Sequence, residues 1–249
     1  MHQILNIAAY KFVPVIDAQA LAATLRDTAS ALALKGTILL APEGINLFLA
    51  GSDEAVRGFL AHLREDVRFA DLHAKESRSP SQPFRRLRVK LKREIIRMDH
   101  PAIRPHEARA PAVDAKTLAR WLDAGHDDEG RELVMLDTRN EFEVQAGRFA
   151  GALDWHLSKF TEFPAALQRH AAELAGKTVV SYCTGGIRCE KAALLMRERG
   201  VDHVLQLDGG ILQYFETVGA RHFEGRCVVF DERRELDAQL APARIPEPA

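Results

Sequence analysis

Only three cysteines occur in 249 residues, too few for a disulfide framework, and no signal-like apolar segment follows the first residues. Both features point to a reducing, cytoplasmic setting. No run reaches the about 18 apolar residues that a membrane helix needs, so no membrane span is expected. The ten histidines show no metal-site spacing. The one His-x-Asp, in His126-Asp127-Asp128, lies in a polar loop over residues 125–130 and is read as coincidence rather than as an iron site. No Gly-x-Gly-x-x-Gly fingerprint is present, which removes the usual dinucleotide signature, and no internal repeat is visible. What is present is ordinary for a folded chain: 47% hydrophobic and 28% charged residues, enough for one large or two ordinary domains.

The first 75 residues read as β-α-β-β-α-β. Strands are expected at 4–13, 37–41 and 45–51, with a shorter one near 72–75. Asp17 and Ser52 are placed to cap the two helices. Residues 42–44 make the strand pair a tight return. This is the order of the ferredoxin-like split βαβ motif, a statement about fold alone. A polar connector is expected at 77–83. Beyond it Arg86-Leu87-Arg88-Val89-Lys90-Leu91-Lys92 alternates strictly between cations and apolar residues, the pattern of a half-buried strand with one basic face. Residues 84–104 carry eight Lys/Arg against Glu94 and Asp99, a formal +6, so the rest of the chain sums to −7. A row of cations suits a phosphate backbone; the same row also protects an edge strand from aggregation.

Three prolines between residues 100 and 111 mark a linker. From Asp114, a helix cap, to about residue 220, strands alternate with helices, which predicts a doubly wound parallel α/β domain with ligands at the C-terminal strand ends. Those ends carry Asp137-Thr138-Arg139 and Val179-Val180-Ser181-Tyr182-Cys183. The expected division is 1–99 for the ferredoxin-like domain with its basic strand, 100–112 for the linker, 113–232 for the α/β domain and 233–249 for a frayed Pro/Ala-rich tail.

Cys183 ends a strand and is followed by Thr184-Gly185-Gly186-Ile187-Arg188 and the start of a helix. Free N–H groups and the positive end of a helix dipole converge there, an environment that holds an anion and lowers a thiol pKa. Gly185 and Gly186 let the backbone curl inward, and Arg188 adds a fixed charge. Asp137 and Arg139 are expected to pin their turn as an ion pair. Cys189 either resolves an oxidised Cys183 or packs in the first helical turn, and Cys227, in an apolar run, is expected in the core.

These stretches carry a resemblance. Leu136-Asp137-Thr138-Arg139-Asn140-Glu141-Phe142-Glu143, Gly151-Ala152, the Cys183–Arg188 loop and Leu207-Asp208-Gly209-Gly210 resemble the rhodanese domain, whose loop cysteine carries a persulfide. Four residues separate Cys183 from Arg188, as in rhodaneses, against five in cysteine phosphatases. Where many rhodaneses have a histidine, this chain has Arg148. Together with Ala41-Pro42-Glu43-Gly44-Ile45-Asn46 and the basic strand ending Lys92-Arg93-Glu94-Ile95-Ile96, the chain is similar to the rhodanese-containing tRNA uridine hydroxylases, which make 5-hydroxyuridine at the wobble position. The resemblance implies an acylphosphatase-like N-terminal domain and a cytoplasmic oxidoreductase. It implies Cys183 and Arg188 as catalytic residues within the loop Thr184, Gly185, Gly186 and Ile187, supported by Asp137 and Arg139. It further implies the anticodon stem-loop of tRNA as partner, met by Arg86, Arg88, Lys90 and Lys92, and molecular oxygen as co-substrate with an unidentified reductant; no cofactor or metal is evident in the sequence. The competing expectations are a sulfurtransferase working through a Cys183 persulfide and a non-catalytic RNA-binding module. Longer members of the family continue into a cysteine-rich tail that this sequence lacks.

Overall fold

A computed structural model describes residues 3–242. They form two compact units, one made of the chain up to Arg97 together with Phe230–Arg233, the other of Met98–Val229 and the chain from Arg234 on.

In the first unit β1 (Ile4–Phe12), α1 (Ala18–Ala31), β2 (Lys35–Ala41), β3 (Gly44–Gly51), α2 (Asp53–Glu65) and β4 (Lys75–Ser79) follow the expected order. The sheet runs β4-β1-β3-β2 with antiparallel neighbours, and β5 (Leu87–Leu91) joins β2 in parallel at the outer edge. Strand periodicity sends Leu5, Ile7, Ile38, Leu40, Ile45, Leu47 and Leu49 to one face. There they meet Leu25 of α1 and Val56, Phe59 and Leu63 of α2. Leu87 and Val89 join the same core, so Arg86, Arg88, Lys90 and Lys92 take the opposite face, and all four are exposed.

Three expectations change here. The fourth strand lies at Lys75–Ser79, not 72–75, and takes the first residues of the expected connector; Lys75-Glu76-Ser77-Arg78-Ser79 has no apolar alternation to reveal it. Leu72 is buried but precedes the strand. Asp17 does not cap α1, because Arg68, far along the chain, takes its carboxylate. Ser52 does cap α2, accepting from Ala55 N at 3.2 Å.

The second unit is built on a five-stranded, all-parallel sheet, β6-β11-β10-β7-β9. Its elements in chain order are β6 (Ala112–Val113), α3 (Ala115–Ala124), β7 (Leu133–Asp137), α4 (Glu141–Ala146), β8 (Gly147–Phe149), β9 (Leu153–Asp154), α5 (Phe163–His170), β10 (Thr178–Tyr182), α6 (Ile187–Glu198), β11 (Val204–Leu207) and α7 (Gly210–Val218). Short strands β12 (Phe223–Gly225), β13 (Cys227–Val228) and β14 (Glu235–Leu236) follow. β10 is central and buried throughout, as parallel strands covered on both faces must be. Pairing of β13 with β14 and burial of Leu236 give the expected frayed tail an ordered start; residues 243–249 lie outside the described residues. No helix among the described residues is long and apolar enough to cross a membrane.

Asp114 caps α3 as its position suggests, accepting from Lys116 N at 2.9 Å and Thr117 N at 3.0 Å. Replacing it with alanine is expected to lower the stability of the second unit by about 1 kcal/mol, read as a shift of the urea midpoint at unchanged slope.

Candidate active site

β10 delivers Cys183 one residue beyond its last strand position, Tyr182, at the C-terminal edge of the sheet and beside the end of β7. From there the loop turns into α6. Gly186 occupies the N-cap of α6 with φ 99°, a left-handed conformation that glycine adopts without strain. Gly185 does not share that conformation: its φ is not positive, and a Cβ added to it would meet nothing within 4 Å. Of the two glycines, then, only Gly186 supplies the left-handed turn, and Gly185 faces open space.

The loop's carbonyls and amides point opposite ways. Ile211 N and Leu212 N, in the first turn of α7, donate to the carbonyls of Cys183 at 3.0 Å and Thr184 at 3.1 Å. These helix-terminal donors have no partner within their own helix. With its carbonyls held on the α7 side, the loop turns its amides toward the sulfur, and Gly186 N donates to Cys183 Sγ at 3.1 Å. Gly210 sits at this joint with φ 66°, and a Cβ there would come within 2.5 Å of the Cys183 carbonyl oxygen. The Leu207-Asp208-Gly209-Gly210 turn is thus the backing plate of the loop.

Two buried ion pairs fix the surroundings. Asp137 receives Arg139 through its backbone N at 3.0 Å, Nε at 2.9 Å and Nη2 at 2.6 Å, and Arg139 Nη2 also donates to Gly147 O at 2.6 Å. Both side chains are 0% exposed, so they pin the turn as expected. Thr138, between them, donates its N and Oγ1 to Tyr182 O at 3.0 and 2.9 Å, joining the end of β7 to the residue before Cys183. The second pair is Arg188 with Glu143, two parallel bonds of 2.7 Å. Glu143 also accepts from Asn140 N at 3.1 Å and Thr184 Oγ1 at 3.4 Å. Burial resists its charge, but Arg188 overcomes this and holds its carboxyl below the usual range.

Arg188 is therefore both a structural ion-pair partner and a cation beside the sulfur. Burial disfavours ionisation of Cys183, yet the Cys189 thiol as hydrogen-bond partner, the Arg188 guanidinium and the N–H groups of Arg188 and Gly186 together bring its pKa well below the ordinary thiol value. Cys189 moves the other way, raised by burial and by Cys183, and remains a thiol; Thr138 Oγ1 lies 3.6 Å from its sulfur. Cys227 belongs to the apolar core, and burial pushes its thiol up to about 12. Asp127 of the His-x-Asp stretch is used structurally, bound by Arg131 and by Thr178 Oγ1 at 2.6 Å.

Glu143 is the site residue that sequence reasoning left without a role. The signal that locates it is the Asn140-x-x-Glu143 spacing, which folds a third-position carboxylate back over a helix start. Gly210 is the other; its requirement arises from contact with a backbone 27 residues earlier. The exposed cations Arg86, Arg88, Lys90 and Lys92 lie in the first unit, and none forms an ion pair among the described residues.

A buried cysteine sulfur cradled at a helix start, at the end of the central strand of a parallel sheet, is the arrangement of a rhodanese-like domain, and residues 114–217 match the Rhodanese-like domain family. Residues 4–95 match the UPF0176 acylphosphatase like domain. Over nearly its whole length the chain is similar to the tRNA uridine(34) hydroxylase of Variovorax paradoxus, with 68% identity over 97% of this chain and 92% of that protein. Its likeness to the enzymes of the same name from Delftia acidovorans (65% identity, 97% and 92% coverage) and Bordetella pertussis (63%, 97% and 99%) is comparable. The chain belongs to the tRNA uridine(34) hydroxylase family.

The buried Arg188–Glu143 pair generates two tests. Glu143→Ala leaves a buried guanidinium without its partner and is expected to destabilise the second unit by about 3–5 kcal/mol in urea unfolding. The thiolate absorbance near 240 nm, taken as the difference between the parent and Cys183→Ser, should titrate well below pH 8, its amplitude retained as pH falls until the lowered pKa is crossed. Arg188→Gln should move that midpoint upward.

Proposed function

We propose that this chain hydroxylates C5 of uridine 34, the wobble nucleotide of tRNA, in the cytoplasm. Family membership supports the substrate, and the observation that carries the chemistry is the buried Cys183 sulfur accepting from Gly186 N–H beside Arg188, surroundings that lower its pKa. Molecular oxygen is the co-substrate: one oxygen atom enters the C5–H bond, the other leaves as water, and a reductant supplies the two electrons that balance the change.

The uracil ring is a conjugated enone, electrophilic at C6. Addition of the Cys183 thiolate at C6 moves electron density to C5 and the C4 oxygen, leaving C5 ready to accept an electrophilic oxygen. Loss of the C5 proton and expulsion of the thiolate then restore the ring. A low thiol pKa serves both halves, since the thiolate is the nucleophile at neutral pH and also the better leaving group. The anticodon loop is where an RNA base is reachable without opening a duplex, and the exposed row Arg86, Arg88, Lys90 and Lys92 fits the phosphates of that stem-loop.

The test is tRNA from a strain lacking this gene and any parallel pathway, digested and analysed by mass spectrometry. Wobble 5-hydroxyuridine and its derivatives are expected to disappear, to return with the parent gene and to stay absent with Cys183→Ser. Unchanged modification in the deletion strain would overturn the proposal. Full rescue by Cys183→Ser would remove the sulfur from the reaction.

A further inference from the structure

The face of the first sheet turned away from its helices combines half-buried aromatics with exposed cations. Leu5, Ile7 and Ala9 of β1 and Ile45, Leu47 and Leu49 of β3 face the helices and complete the core. By strand alternation Asn6, Ala8, Tyr10 and Phe12 of β1 and Asn46 and Phe48 of β3 face the other way, with Asn6 and Asn46 buried. Tyr10, Phe12 and Phe48 are each half-buried.

Register places these aromatics among cations. One row crosses all five strands through directly paired residues: Lys75 on β4, Ala8 on β1, Phe48 on β3, Thr37 on β2 and Arg88 on β5. The next runs Tyr10, Asn46, Leu39, Lys90. Tyr10 and Phe48 are diagonal neighbours across the central strand pair, within reach of one bound segment. The Lys75 ammonium lies 5.6 Å from the Tyr10 ring centroid, and Arg88 stands two strand spacings from Phe48, about 10 Å. Flanking segments frame Phe48: Asn46 Nδ2 donates to Ile95 O at 3.3 Å on one side, and Gln82 Nε2 donates to Ala50 O at 2.9 Å on the other.

We propose that the part of this face around Phe48 and Tyr10 is a stacking platform for unpaired nucleotides of the tRNA, with Phe48 and Tyr10 on β3 and β1 taking the bases and Arg88 and Lys90 on the edge strand taking the phosphates. The inference rests on the RNA-substrate reading above and adds where and how the single-stranded part is gripped. One class of RNA-binding module uses a four-stranded sheet whose aromatics stack unpaired bases, and each stack contributes a sequence-tolerant share of affinity. Edge protection accounts for charges on β5. It does not account for aromatic rings on β3 and β1, two and three strands in from β5, facing away from the core.

The experiment measures binding of an unmodified tRNA transcript to the full chain by fluorescence anisotropy across a salt series. Phe48→Leu, which keeps an apolar side chain, is expected to weaken binding about tenfold at every salt concentration with the salt slope unchanged, and Phe48→Tyr to retain parental affinity. The double variant Arg88→Gln/Lys90→Gln should instead lower the slope by up to about two. Tight binding by Phe48→Leu, within twofold of a parent that still hydroxylates tRNA, would overturn the platform and leave the proposed function standing. A parent that neither binds nor hydroxylates tRNA would overturn the reading beneath it. Should a variant unfold in a thermal melt, photocrosslinking of the unaltered protein to tRNA bearing 4-thiouridine in the anticodon loop decides the matter. Crosslinked peptides from β1 or β3 support the platform, and crosslinks confined to other segments overturn it.

Discussion

Everything at the sulfur depends on which way one short loop turns its peptide groups. The first turn of α7 has amides with no partner in their own helix, and the carbonyls of Cys183 and Thr184 supply what they lack. Once those carbonyls are committed, the loop amides have the opposite side left, and that side holds the sulfur. Gly210 makes the contact close enough to work, because any side chain there would collide with the Cys183 carbonyl. Burial opposes a charge on Cys183, and the donors around the sulfur, already placed before any charge forms, offset that cost and lower its pKa.

The buried ion pairs have a related but separate task. Asp137–Arg139 and Glu143–Arg188 are each neutral as a pair, so neither burdens the interior with net charge. They hold the ends of β7 and α4 against the loop and set the plane of the Arg188 guanidinium. That cation reaches Cys183 with its orientation already fixed by Glu143, which is why a carboxylate close to a thiolate does not undo the site.

Much of this was legible in the residues, and what was not has physical reasons. The βαββαβ order, the parallel α/β unit and the Cys183 loop all follow from periodicity and turn chemistry, which are local. Strand β5 was visible because Leu87 and Val89 alternate with cations; β4 was misplaced because Lys75-Glu76-Ser77-Arg78-Ser79 is polar on both faces. Asp17 looks like a cap in sequence and is claimed by Arg68, a competitor 51 residues away. The two-residue strands β6, β9, β13 and β14 are too short to leave a pattern. Glu143 acquires its role only when α4 and α6 meet, and Gly210 only when α7 docks behind the loop, so neither could be weighted correctly from spacing alone.

The two kinds of charge in this chain differ in how they answer to the medium. Arg188 and its partner are sealed from solvent, so dissolved ions scarcely screen them, whereas the exposed cations of β5 lie within a Debye length of bulk electrolyte. Ionic strength therefore acts as a selective dial: it screens the exposed cations of β5 and leaves the acidity of the buried thiol almost untouched.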